Sequence, residues 1–98
     1  MARLIIEVME VRGTCPVYRK GTRFTIEEGY QLHGPEGGAV CMHGLASILP
    51  VYNAIFHGVE PGLLGLQGPL PGCAYVQCLD PCERTLGGTV TFALKRED

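Results

Sequence analysis

Apolar residues follow two different rhythms along this 98-residue chain. The clearest is near the end. From Gly88 to Lys95, Val90, Phe92 and Leu94 face one way and Thr89, Thr91 and Ala93 the other, the period-two pattern of a half-buried strand. Ala74–Leu79 reads as a strand before it, and Arg23–Glu27, with Phe24 and Ile26 on one side, as a short early strand. Arg3–Val11 alternates only loosely but is rich in β-branched residues, which predicts a strand buried on much of both faces. The second rhythm lies between these strands. From Ala39 to Phe56, Cys41, Leu45, Ile48, Tyr52 and Ile55 recur at spacings of three and four, the stripe of an amphipathic helix. Pro50 sits inside it, removes a backbone donor and predicts a kink or two abutting helices near Leu49. The segments 13–21, 28–38 and 80–84 read as turns and loops. The pattern therefore predicts an α+β domain with a mainly antiparallel four-stranded sheet in the order β-β-α-β-β and one helix kinked at Pro50.

The length fits a single domain spanning residues 1–98. A net charge of −2 supplies no electrostatic footprint for nucleic acid or an anionic membrane surface, and the absence of Trp removes the best stacking platform. The first apolar run is broken by Glu7, too early for a signal peptide, so the expected setting is the reducing cytoplasm with thiols free or metal-bound. Five cysteines, an odd number, also argue against a complete disulfide framework, although Cys73 and Cys78 can pair in an oxidising setting.

Charge is unevenly spread. Between Gly37 and Leu79 the only charged residue is Glu60. His43, Ser47, Asn53 and His57, with Pro50 in the middle, speak against a membrane span. The following segment, Gly58–Gly72, mixes glycines and prolines with Leu63, Leu64, Leu66 and Leu70, a composition that opposes regular structure yet avoids water. So much uncharged surface in a small domain predicts a homo-oligomer or a protein partner, met through the 39–56 helix and the 58–72 loop.

The candidate chemistry is sulfur. Cys15 lies in the turn after the first strand, Cys41 at the start of the helix and Cys78 near the end of the third strand, positions where distant segments converge. Zinc takes about four S or N ligands, and Cys82, His43 or His33 is available as a fourth; Cys78 and Cys82 have a spacing found in zinc ligand pairs. An iron–sulfur cluster on the same residues is the other inorganic expectation, without the compact spacings of ferredoxins. Cys41 in the first helical turn, with Gly44 leaving space nearby, equally suits a thiol-dependent redox enzyme using Cys41 or Cys15. The plain alternative is a structural interaction module whose thiols are small buried hydrophobes. No paired carboxylates are placed for acid–base work, because adjacent Glu27 and Glu28 face opposite ways in a strand, and serine-nucleophile motifs and dinucleotide fingerprints are absent.

Gly13-Thr14-Cys15-Pro16, Lys20-Gly21-Thr22-Arg23-Phe24, Pro35-Glu36-Gly37 followed by Cys41, and Cys78-Leu79-Asp80-Pro81 before Val90-Thr91-Phe92 together carry a resemblance. The chain resembles, over nearly its whole length, a family of short uncharacterised bacterial and archaeal proteins. The resemblance singles out Cys15, Pro16, Gly21, Gly37, Cys41, Cys78 and Asp80 above Cys73 and Cys82. Thr22-Arg23, Gly38-Ala39-Val40 and the Leu/Gly loop around Gly65 depart from the family pattern. The family brings no activity with it. The expected function is an accessory protein or assembly subunit with a cysteine-centred, metal-binding site at Cys15, Cys41, Cys78, Cys82 and His43.

Overall fold

The structure is a computed structural model describing residues 2–35 and 38–98; Glu36 and Gly37 of the Pro-Glu-Gly motif lie outside the described residues. Five strands and one helix follow the chain as β1 (Arg3–Gly13), β2 (Arg23–Glu27), β3 (Gln31–His33), α1 (Met42–Phe56), β4 (Cys73–Gln77) and β5 (Gly88–Glu97). The strands form one antiparallel sheet in the order β3-β2-β1-β5-β4. The class is α+β as expected, but the sheet has five strands rather than four and the order is β-β-β-α-β-β.

The additional strand, β3, lies in the segment expected to be loop. Its turn explains why. Glu28 and Gly29 both take left-handed backbone angles, with φ of 60° and 83°, and the Tyr30 N–H donates to the Glu27 carbonyl at 3.2 Å. Two consecutive left-handed residues make the tight hairpin turn that matches strand twist. Gly29, taken as a breaker, is half of that turn.

The loose alternation of β1 also has a local cause. Its pairing with β5 runs from Ile6↔Leu94 to Val8↔Phe92 and then jumps to Glu10↔Thr91 and Val11↔Val90. Met9 is the extra residue of a bulge, which returns Val11 to the face of Val8. Leu4, Ile6 and Val8 are fully buried while Ile5, Glu7 and Met9 are half-buried, so the strand has one core face rather than two.

The helix covers that core face. Ile48 and Ile55 are its buried aliphatics, packed with Leu4, Ile6, Val8, Ile26, Val90 and Leu94. Cys41 is the N-cap, so α1 begins three residues later than the apolar stripe suggested. It runs unbroken past Pro50, and two abutting helices do not form. Pro50 is on the exposed side, where water can meet the carbonyl that proline leaves unpaired. At the top of the core, Tyr18 stacks on Phe24 at 5.9 Å and Phe92 stands edge-on to both, at 5.7 and 6.3 Å. Gly44 lets the helix close on these rings: a Cβ there would lie 2.8 Å from Phe92 Cζ. The space beside Gly44 therefore belongs to Phe92, not to a thiol.

The 58–72 segment is more ordered than its composition predicts. Pro61–Leu64 forms a 3-10 turn, closed by Gly65 at φ 72°. Gln67 bridges to Ala74, and Tyr75 N–H donates to the Leu66 carbonyl at 2.9 Å. Leu64 and Leu66 pack against the core, whereas Leu63 is 80% and Leu70 50% exposed. Among the described residues, no helix is long and apolar enough to cross a membrane.

Candidate functional site

The site is built from three chain segments that meet beside the start of α1. The Cys15-Pro16 turn leaves β1 and returns as Tyr18, whose side chain dives into the core while its backbone N–H donates to Cys15 Sγ at 3.3 Å. The Tyr18 hydroxyl accepts the backbone N–H of Cys41 at 3.0 Å. This satisfies one of the donors that a helix start leaves unpaired, since no side chain caps α1. Cys41 itself sits at the positive end of the helix.

The third segment enters from β4. Cys78 N–H extends the ladder to Val90 O at 2.8 Å, and Thr89 Oγ1 donates to the Cys78 carbonyl at 3.2 Å. Leu79 N–H reaches the His43 carbonyl at 3.5 Å, tying this segment to the first turn of α1. Asp80 N–H points at Cys78 Sγ, 3.5 Å away. Backbone donors directed at sulfur are the outer contacts that orient a thiolate ligand or nucleophile.

Tyr18 reports how these segments converge. Burial pushes its phenol above the ordinary value, the Cys41 N–H offsets part of this, and Cys41, Cys15 and Cys78 push it further up. Tyr18 thus meets Cys15 at its backbone N–H and Cys41 at its hydroxyl, linking these two segments. Cys15, Cys41 and Cys78 are each partly buried and pack against the core. Exposed Val17 and Met42 flank Cys15 and Cys41 in sequence, and exposed Leu79 follows Cys78.

The other expected residues are placed differently. Cys82 adopts φ 41°, and its thiol lies 3.6 Å from both the Arg12 and Gly87 carbonyls as donor. Its N–H donates to Asp80 Oδ1 at 2.8 Å, so it serves the turn between β4 and β5. His43 is exposed at the start of α1. The Thr85 hydroxyl, then the Cys82 N–H, hold the Asp80 carboxyl below the usual aspartate range, with a contribution from His43. Cys73 is buried at the start of β4, two residues before Tyr75. All five cysteines are free thiols. Among the described residues, no three His, Cys, Asp or Glu side chains are grouped so as to hold a metal ion.

Tyr18 is the residue that sequence reasoning missed. It stands in a Gly- and Pro-bounded turn with no apolar periodicity around it, and its one signal is a tyrosine three residues after the Cys-Pro cysteine. No protein-family model matches the chain, and no curated protein or solved structure matches it either.

Proposed function

We propose that Cys15, Cys41 and Cys78 form a cysteine-centred site through which this chain, as an accessory protein or assembly subunit, binds a soft metal ion such as zinc. The observation behind this reading is that Tyr18 links the Cys15 turn to Cys41, while the Leu79 N–H ties the Cys78 segment to the first turn of α1. Two of the sulfurs face backbone N–H donors, and the third belongs to the N-cap residue of the helix. Thiolates suit zinc, which takes about four S or N ligands, and exposed His43 is better placed to complete the set than Cys82, whose thiol is engaged in its own turn. The free thiols agree with a cytoplasmic setting. Exposed Leu63 and Leu70 agree with self-association through the 58–72 loop.

Elemental analysis of the anaerobically purified chain tests the reading. About one equivalent of zinc or iron is expected, lost in Cys15→Ser, Cys41→Ser and Cys78→Ser and kept in Cys73→Ser. Metal-free protein rejects it.

A thiol-dependent redox role using Cys41 or Cys15 is the second reading, resting on the place of Cys41 at the positive end of the helix. Cys41 is then the expected reactive thiol, from its place at the helix start. Metal-free protein in which Cys41 is alkylated far faster than the other thiols supports this role. Metal-free protein with uniformly slow thiols, tolerant of the triple serine substitution, leaves a structural interaction module.

A further inference from the structure

The helix-free face of the sheet carries a hollow of about 400 Å³. Its floor follows from strand register. Lys95 on β5 stands between Ile5 of β1 and Cys73 of β4, and Ala93 stands in the next row between Glu7 and Tyr75. Ile5, Ala93, Cys73 and Met9 make this floor apolar, while Leu70 and Pro71 of the preceding loop wall it on one side. Leu70 is half exposed, as a wall residue of an open hollow must be. That wall makes the surface concave and unsuited to a flat second sheet.

The charges around the hollow are not equivalent. Glu7 is paired with Arg23 at 3.0 Å, and Glu97 with Arg3 at 2.7 Å. Among the described residues, Lys95 enters no ion pair. Both carboxylates that border the hollow are thus compensated, and the ammonium of exposed Lys95, a lining residue, remains without an ion-pair partner among the described residues. A concave apolar surface with a single directing charge is the common composition of a small-ligand site.

We propose that this hollow binds a small amphipathic carboxylate, its apolar body on Ile5, Met9 and Ala93 and its carboxylate on Lys95. The site is separate from the proposed metal site: Cys15, Cys41 and Cys78 pack against the core, under the opposite face. The test is an amide chemical-shift titration of the full chain with sodium octanoate, kept below micelle formation, against 1-octanol as the uncharged comparator. Saturable shifts are expected at Ile5, Cys73, Ala93 and Lys95, with octanol binding more weakly. Lys95→Met, an exposed substitution that leaves the fold intact, is expected to weaken octanoate about fivefold and leave octanol unchanged. The absence of saturable shifts would overturn the proposal. So would equal affinity for octanol, an unchanged octanoate affinity in Lys95→Met, or shifts confined to the separate groove lined by Tyr30, Leu32 and Leu49.

Discussion

The Tyr18 phenol accepts the Cys41 N–H at 3.0 Å, so one hydrogen bond fastens the Cys-Pro turn to the N-cap residue of the helix. Tyr18→Phe keeps the ring stack on Phe24 and leaves that N–H without its partner. The expected loss is about 1–2 kcal/mol, read as a fall in Tm of roughly 5–15 °C. An unchanged Tm would mean that water replaces the hydroxyl without cost.

The same phenol gives stability a direction with pH. Burial raises it, so the folded chain keeps this proton at pH values where the unfolded chain has lost it. Its contribution is complete below the ordinary phenol range and is lost as pH rises through the raised folded value. Urea midpoints measured into alkaline pH should fall more steeply for the wild type than for Tyr18→Phe.

Gly44→Ala sets two effects against each other. Alanine gains about 1 kcal/mol of helix propensity, whereas overpacking a full core costs about 1–3 kcal/mol. The new Cβ meets Phe92 at 2.8 Å, and Phe92 is fully buried with Tyr18 and Phe24 against it. The ring cannot swing aside, so net destabilisation is expected in calorimetry. A more stable variant would show that the helix shifts freely over the rings.

Asp80 behaves in the opposite sense to Tyr18. The Thr85 hydroxyl and the Cys82 N–H favour its ionised form, so its folded value lies below its unfolded one. The stability it lends is present above the ordinary aspartate range and is lost as pH falls through the lowered value. Acid unfolding followed by circular dichroism should lose this component in Asp80→Asn. Thr85→Val, which removes the larger cause, should bring the Asp80 titration observed by NMR back toward the ordinary range.

Leu63 and Leu64 are neighbours with different expected roles. Leu63→Ser, at an exposed position, should change stability by no more than about 0.5 kcal/mol, yet lower the mass seen by light scattering if the 58–72 loop forms the self-contact. Leu64→Ser should lower Tm, because Leu64 packs on the core. A monomeric wild type at micromolar concentration would end the association reading.

The legible parts of this fold are those where one face is buried at a constant period. Val90, Phe92 and Leu94 on β5, Phe24 and Ile26 on β2, and Ile48 and Ile55 on α1 are all core, as their spacing requires. What escaped depends on backbone angles or on isolated contacts. Glu28 in a left-handed conformation carries no compositional mark, so the hairpin to β3 was hidden. Met9 breaks the alternation of β1 by one residue, which reads as two buried faces when it is a bulge. The places of Cys15, Cys41 and Cys78 at element ends could be read from the chain. The turning away of Cys82 follows from its positive φ, which no spacing rule carries.

The two borders of the sheet differ in a way that bears on how copies of this chain can stack. Along Cys73–Tyr75 the β4 border is already occupied by the chain's own Leu66 and Gln67. The β3 border, at Gln31–His33, has no neighbouring strand among the described residues, and β3 itself carries no charged residue. Endless lateral growth needs two vacant borders, one to give and one to receive. A sheet with one of them covered along Cys73–Tyr75 can add a neighbour through β3, and that pairing consumes the vacancy on both. Fibre formation by this route therefore requires the Leu66–Gln67 segment to peel away first, which makes that short stretch the latch against polymerisation.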